Sequence, residues 1–259
     1  MNTDSFVNHR LLVSSICALA ILVNLKTQAQ EIPSRLIRSL EFSVVKVLAY
    51  TENGERLAQG SGFFVNNDGD VITNRHVLEG SARAEIRLSN GRIFRIKAIL
   101  GEDINADLVR CSTEVPKDMC NALTTTDALP EKGARVLVVG NPMGLEQTVT
   151  DGIVSSIREH PTLGTIIQIS APISQGSSGS PVVDMKGAAI GIATFQLVGG
   201  QNLNFAIPTQ RLRKLKQLKA TSVAEWNQER QRRGFAKAET FYSRGRGLIL
   251  SDEFEKLGN

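Results

Sequence analysis

Residues Gly60–Leu78 read GSGFFVNNDGDVITNRHVL. Two short apolar runs, GSGFFV and DVIT, flank a cluster of turn-forming residues, and a histidine follows at once. Runs of this length, β-branched or aromatic and bounded by Asn, Asp and Gly, predict paired strands rather than a helix. The pattern extends in both directions. SVVKVLAY precedes Asn53-Gly54, AEIRL precedes SNG, and RIFRIKAIL follows it. Further on come ARVLVVG, TVTDGIVSSI, TIIQIS, PVVDM, AAIGIATF and LNFAIP. Closely spaced short strands without strand–helix alternation predict an all-β barrel or sandwich and exclude a doubly wound α/β fold. The polar segment EVPKDMCNALTTTDALPEKG, with two prolines, divides the strands into units over about 36–115 and 125–208. After Pro208, Leu212, Leu215, Leu218, Val223 and Trp226 recur among charges and suggest an amphipathic helix within a C-terminal tail, 210–259.

Composition narrows the function classes. The 259 residues are 41% hydrophobic and 22% charged, enough for one large or two small cores. One Trp and two Tyr argue against an aromatic-rich binding platform, and no nucleic-acid partner is expected. From Gln210 to Asn259 there are 12 Lys and Arg against 6 Asp and Glu, so the tail is basic while the remainder is near neutral. Such a tail suits an anionic membrane surface or an acidic partner. At the other end, Arg10 precedes the apolar run Leu11–Leu25, and the small residues Thr27 and Ala29 suit cleavage after Ala29. A signal peptide over 1–29, with export to a periplasm or beyond the cell, is the favoured reading; an uncleaved anchor is the alternative. Removal of that segment would leave Cys111 and Cys120, and an even count in an exported protein predicts a disulfide. No His or Cys cluster accompanies them, so no metal is expected.

Three serines fall within QGSSGSP, Gln175–Pro181. A serine hydroxyl becomes nucleophilic only with a base, an orienting group for that base, and donors for the oxyanion. His9 lies in the leader and His160 beside Pro161 in a hairpin, where a surface role is the default; His76 follows a strand. Taken together and in order, GSGFFVNNDGDVITNRHVL, INADLVR, GNPMGLEQTVTDGIVSS, IQISAPISQGSSGSPVV and LNFAIP resemble the HtrA/Deg-like branch of the chymotrypsin-fold serine proteases. The resemblance runs from about Val44 to Pro208.

That resemblance implies two six-stranded antiparallel β-barrels, a protease domain over 36–209, and a cleft holding His76, Asp107 and Ser178 as the triad. Asp103 is the rival carboxylate; Asp107 fits because it directly precedes the run DLV. Gly176, Gly179 and Pro181 set the register that makes Ser178 the nucleophile, with the backbone N–H groups of Gly176 and Ser178 as the oxyanion hole. Ser180 stands where the family has Gly, and Gln175 where many relatives have Pro. Ser177 cannot accept a newly cut N-terminus as an Asp there does, so activation by N-terminal insertion is not expected. Ile173, Phe195, Gln196 and Leu203 are expected to line the primary substrate pocket; none is acidic, which favours a small or medium apolar side chain. The implied activity is endopeptidase action on polypeptides without a cofactor. About 50 residues follow the second unit, too few for the family's usual PDZ domain. A rival reading, a binding module of this fold without turnover, rests on the altered serine loop. An α/β-hydrolase esterase is excluded, because GSSGS lacks the G-x-S-x-G form and no histidine follows it.

Overall fold

The computed structural model of the chain describes residues 32–141, 148–196 and 203–232. The expected leader over 1–29 and the tail beyond residue 232 lie outside them. A first helix, α1 (Ser34–Ser43), is unassigned in the sequence reading; it buries Leu40, and Asn121 donates to the Ser39 carbonyl and to Ser43 Oγ.

The first barrel comprises β1 (Val44–Tyr50), β2 (Arg56–Phe64), β3 (Val71–Asn74), β4 (Arg83–Arg87), β5 (Ile93–Asp103) and β6 (Leu108–Thr113). Their spatial order is β5-β4-β1-β2-β3-β6, and pairing of β5 with β6 closes the ring. The 11-residue β5 serves both neighbours because its register against β6 shifts twice, between Ile96 and Ala98 and between Ile99 and Gly101. Such irregularities bend a strand enough to turn a barrel corner. Val45, Val47, Phe64, Ile86, Ile99 and Val109 fill the interior. Between β3 and β4 the chain makes one short helix, α2 (Arg75–Leu78).

The second barrel closes in the order β10-β11-β12-β9-β8-β7. Its strands are β7 (Arg135–Gly140), β8 (Thr148–His160), β9 (Gly164–Ile169), β10 (Pro181–Asp184), β11 (Ala189–Gln196) and β12 (Asn204–Pro208). Every pairing between named strands is antiparallel, as the all-β reading predicts. The loop between β8 and β9 corrects one expectation. His160 is buried, and its Nδ1 accepts hydrogen bonds from the backbone N–H of Thr162 and Leu163, at 3.2 Å each. An imidazole that caps a tight turn leaves the surface.

The segment after Pro208 also differs from the expected single helix. A 3₁₀ turn, Thr209–Lys214, leads into β13 (Lys216–Thr221), which pairs with β5, and then into α3 (Val223–Arg232). Gly101 makes that pairing available, since a Cβ there would sit 3.1 Å from the Lys216 carbonyl oxygen. Leu215 and Leu218 therefore pack from extended chain and not along one helical stripe. Helix α3 starts at a capping box: Ser222 N–H donates to Glu225 Oε2 at 3.0 Å, and Glu225 N–H donates to Ser222 Oγ at 3.2 Å. Val223 and Trp226 enter the first barrel's core. The chain thus crosses back from the second barrel to complete the first. Two tail arginines, Arg211 and Arg230, are spent inside the protein on Asp103 and Glu79.

The expected Cys111–Cys120 disulfide is not formed; both are free thiols. Cys111 faces the core from β6, and burial, reinforced by the Asp70 charge, pushes its thiol well up. Cys120 is partly exposed and directs its Sγ to the Pro116 carbonyl oxygen at 3.4 Å. Burial and then the nearby carboxylates of Asp118, Asp68 and Asp70 raise it too. Both therefore favour the protonated form, which is unreactive in exchange.

Two outcomes follow. Trp226→Ala should cost about 3–5 kcal/mol in urea unfolding, because it empties a core site under α3; a loss near zero would mean that α3 is not part of the folded unit. In native protein a thiol reagent should modify Cys120 ahead of Cys111, which should react only on unfolding. Detection of a 111–120 bridge by mass spectrometry would contradict the free-thiol structure.

Candidate active site

Asp107 is the one non-glycine residue with positive φ among those described, at 55°. Aspartate tolerates this left-handed region better than most residues, yet it still needs surroundings that hold it there. Here both of its oxygen-bearing groups are anchored. Its carbonyl accepts from Arg75 N–H at 3.0 Å and from Asn74 Nδ2 at 2.9 Å. Its carboxylate accepts from His76 N–H at 3.0 Å and lies 2.5 Å from His76 Nδ1. A carboxylate in this pairing accepts, so Nδ1 carries the proton and Nε2 is left as the ring's acceptor. The strand end β3, helix α2 and the turn before β6 thus form one polar knot around residues 74–76.

The charge on His76 follows from its neighbours. Burial alone would push the imidazolium down, but the Asp107 carboxylate, by charge and hydrogen bond, outweighs it; Glu79 adds to the rise and Arg75 opposes it. The result lies above the ordinary histidine value. About 30% of the side chain stays accessible while Asp107 keeps 1%, so the imidazole is reachable and the carboxylate beside it is not.

Asp103 has another task. It pairs with Arg211, whose NH2 lies 2.7 Å from Oδ2, and its Oδ1 accepts from Ala106 N–H at 3.0 Å. The rival carboxylate is therefore turned away from His76 and braces the loop that presents Asp107.

On the second barrel, the turn between β9 and β10 carries the three serines. Ser177 and Ser180 are buried; Ser178 alone is partly exposed. Ser177 holds the turn internally: its N–H donates to the Ser174 carbonyl at 2.8 Å, and its Oγ accepts from Ser174 N–H at 3.2 Å. Ser180, where the family resemblance leads one to expect glycine, faces Gly140; a Cβ at residue 140 would fall 2.1 Å from Ser180 Oγ. The side chain added at one position is accommodated by its absence at the other. Gly176 has φ 95° and Gly179 φ 87°. A Cβ at 179 would lie 2.1 Å from the Ser61 carbonyl oxygen, so only glycine fits. Among the described residues, the N–H groups of Gly176 and Ser178 donate to no other group, whereas those of Ser177, Gly179 and Ser180 are all used within the fold.

The two halves meet over Gly60 and Ser61. A Cβ at Gly60 would press on Val77, the neighbour of His76, at 2.7 Å and on the Ser178 carbonyl oxygen at 3.0 Å. Ser61 N–H donates to that same oxygen at 2.8 Å. Asn74 Nδ2 also reaches Thr194 Oγ1 on β11, at 3.2 Å, from the first barrel to the second. The structure thus brings His76 and Asp107 into direct contact and sets the Ser178 loop against the strand beneath them; among the described residues, no hydrogen bond joins Ser178 Oγ to His76. Ser61, Asn74 and Thr194 were not singled out in the sequence. Their only signal is polarity inside otherwise apolar strands.

Of the expected pocket residues, Ile173 packs against the second barrel's core and Leu203 is partly exposed just before β12. Phe195 and Gln196 end β11, where their backbones pair with Phe205 and Asn204; their side chains lie outside the described residues. Asn204, absent from the sequence reading, donates from Nδ2 to the Ala171 carbonyl at 2.9 Å and fixes the start of the segment that carries Ile173.

Comparison with known proteins agrees with this architecture. Residues 60–192 match the family described as trypsin-like peptidase domain. The anti-sigma-I factor RsgI9 of Acetivibrio thermocellus is 32% identical over 225 residues, which cover 87% of this chain and 29% of that protein. The periplasmic serine endoprotease DegP of Escherichia coli K12 is 34% identical over 168 residues, covering 61% of this chain and 35% of DegP. Among solved structures, the serine endoprotease from Yersinia pestis is similar at a TM-score of 0.62 and 29% identity, over 71% of this chain and 66% of that one. The chain spans about a third of the length of the curated relatives it matches. With two closed antiparallel barrels and HtrA- and DegP-type relatives, it belongs to the trypsin-like peptidase domain family.

Proposed function

We propose that the chain is an exported serine endopeptidase that hydrolyses peptide bonds of exported or unfolded polypeptides through Ser178, His76 and Asp107. One observation carries the reading: Asp107 grips both the backbone N–H and the Nδ1 of His76, which orients a partly exposed ring with Nε2 free to take a proton. Ser178 Oγ attacks the scissile carbonyl while Nε2 accepts its proton. The unspent N–H groups of Gly176 and Ser178 receive the oxyanion; removal of one such donor typically costs about 10²–10³ in turnover. His76 then protonates the leaving amine, and water hydrolyses the acyl-enzyme by the same route in reverse. Asp107 keeps the tautomer and stabilises the imidazolium throughout.

The end of β11 at 194–196, past its pairing with β10, would offer its open side to the substrate backbone, as in β-strand addition. A small or medium apolar side chain would occupy the pocket near Ile173, Phe195, Gln196 and Leu203. Export fits the leader expected over 1–29 and the periplasmic relatives. For an anionic membrane or acidic partner, Arg213, Lys214, Lys216, Lys219 and Arg232 are the exposed cations of the described tail.

A fluorophosphonate probe should label Ser178 in the purified protein, and Ser178→Ala should abolish labelling and lower turnover by about 10⁵–10⁶. Ser177→Ala and Ser180→Ala should keep much of the activity. Equal loss in a folded Ser180→Ala would move the nucleophile and sink the register; a protein that never labels would leave the binding-module reading.

The acid limb supplies a second check. Reaction needs neutral His76, so labelling should rise with pH through a midpoint above the ordinary value of 6.5, in the direction set by Asp107. The pair's contribution to stability has the opposite sense: it is complete below the unfolded histidine's pKa and is lost as pH rises through the raised one. Asp107→Asn should lower the midpoint and cut turnover by about 10⁴. An unchanged midpoint would show that Asp107 does not govern His76.

A further inference from the structure

We propose that the segment Thr209–Arg232 is a positioning strap for the acid–base pair, tying the α2 turn that carries His76 through Asn227, Trp226 and Arg230 and the loop that carries Asp107 through Arg211. This rests on reading His76 and Asp107 as that pair.

Helix α2 has four residues, too few to be stable alone. Its orientation is set by what holds its two ends. Asp107 takes the N-terminal amides of Arg75 and His76. The C-terminal end is held by Asn227 of α3. Its Oδ1 accepts from Gly80 N–H at 3.1 Å, and its Nδ2 is directed at the carbonyls of Leu78 and Ser81, at 2.9 Å each. The Leu78 carbonyl is one of the groups that a helix end leaves without internal partners; Ser81 also donates to it, from Oγ at 2.7 Å, and Asn227 ties it to the turn that follows. Asn227 is buried, so water does not substitute for it there.

Charge reinforces this grip on both sides of the histidine. Arg230 NH2 lies 2.7 Å from Glu79 Oε1, just beyond the helix, and Arg75 NH2 approaches the same oxygen at 3.6 Å. Arg75, immediately before His76, also donates from Nε to Glu102 Oε2 at 3.3 Å, and Trp226 Nε1 donates to that same oxygen at 3.1 Å. The guanidinium groups of Arg75 and Arg230 lie 5.9 and 4.6 Å from the Trp226 ring centre. Trp226 therefore lies beside two buried cations and shares a carboxylate with one of them.

The next residue along β5, Asp103, receives the other end of the strap. Arg211 donates from Nε and NH2 to Asp103 Oδ2, at 2.9 and 2.7 Å, and from NH1 to the Leu163 carbonyl of the second barrel at 3.3 Å. Asp103 in turn holds Ala106 N–H, one residue before Asp107. Thr209 fixes the strap's start by donating to the Thr126 carbonyl at 2.6 Å. One continuous stretch of chain thus reaches the supports of both members of the pair and touches neither member's reacting atoms. These are positioning contacts.

The test uses the full chain with Asn227→Ala at the His76 end and Arg211→Gln at the Asp107 end. The first readout is the far-downfield proton resonance of the His76 Nδ1–Asp107 bond, assigned by its loss in His76→Ala. The second is the fluorophosphonate labelling rate across pH, with kcat and KM measured separately on a short peptide. Each variant should weaken or shift the resonance, move the acid midpoint, and lower kcat about tenfold or more with KM little changed, since small misplacements of reacting groups carry penalties up to about 10²-fold. A merely structural contact would lower the melting temperature and leave all three readouts intact in folded protein; that result overturns the proposal. If Asn227→Ala does not fold, Trp226→Phe, which removes the donor to Glu102 together with part of the buried indole ring, is read in its place by the same criteria. Failure of the parent protein to label would defeat the peptidase reading while the resonance still decides the strap.

Discussion

The arrangement depends on how Ser61 joins two barrels that have separate cores. Its N–H donates to the Ser178 carbonyl, its hydroxyl donates to the Gly176 carbonyl at 2.8 Å and accepts from Asn141 N–H, and its own carbonyl accepts from Thr73 Oγ1. The residue is fully buried. Four polar connections at one buried position cannot be given up to water without leaving partners unsatisfied, so the serine turn has one place to sit relative to β2. By accepting from Ser61, the carbonyls of residues 176 and 178 are drawn into the joint, and the N–H groups of those same residues are left unspent. The joint therefore sets which backbone groups of the serine turn stay unspent as well as holding the turn.

The pairing of His76 with Asp107 follows the same rule of buried partners. Asp107 sits in a backbone region that costs most residues about 1–3 kcal/mol, and it is kept there because each of its acceptors is engaged by residues 74–76. Any shift of the aspartate loop breaks several hydrogen bonds at once. The histidine thus receives its orientation from a carboxylate that has no alternative partner nearby. Ser180 illustrates the complementary rule: its side chain has room because the opposing residue, Gly140, leaves the volume.

Much of this was legible in the chain. Alternating apolar runs and turn residues identify the strands because period and punctuation are local properties. The pairing of His76 with Asp107 instead of Asp103 could be read from motif order. What escaped were features set by distant partners. Leu212, Leu215 and Leu218 share a helical spacing, yet pairing with β5 overrides it; the capping box SVAE at Ser222–Glu225 was the available local signal for where the helix starts. The cysteine count suggested a bridge, but counting carries no geometry, and a core-facing thiol on β6 does not meet one turned to the Pro116 carbonyl. His160 was placed at the surface because its loop was, whereas its ring closes that loop from inside. Ser61, Asn74 and Asn204 gave no signal beyond being polar in strands; their roles exist only once two barrels face each other.

Those long-range partners also shape how the site comes together. Ser61 meets Gly176 across 115 residues, Trp226 meets Glu102 across 124, and Asn227 meets Leu78 across 149. Contacts of such separation reward the chain only after the loop between them has closed, which makes this a topology that folds slowly. The barrel strands can pair through nearer neighbours, but the supports of His76 are complete only when the last described helix docks. A chain released from one end to the other therefore forms its strands before it fixes its histidine. The α2 turn that carries His76 is held by contacts of large sequence separation, and the first barrel, though encoded first, is finished by residues that follow the second.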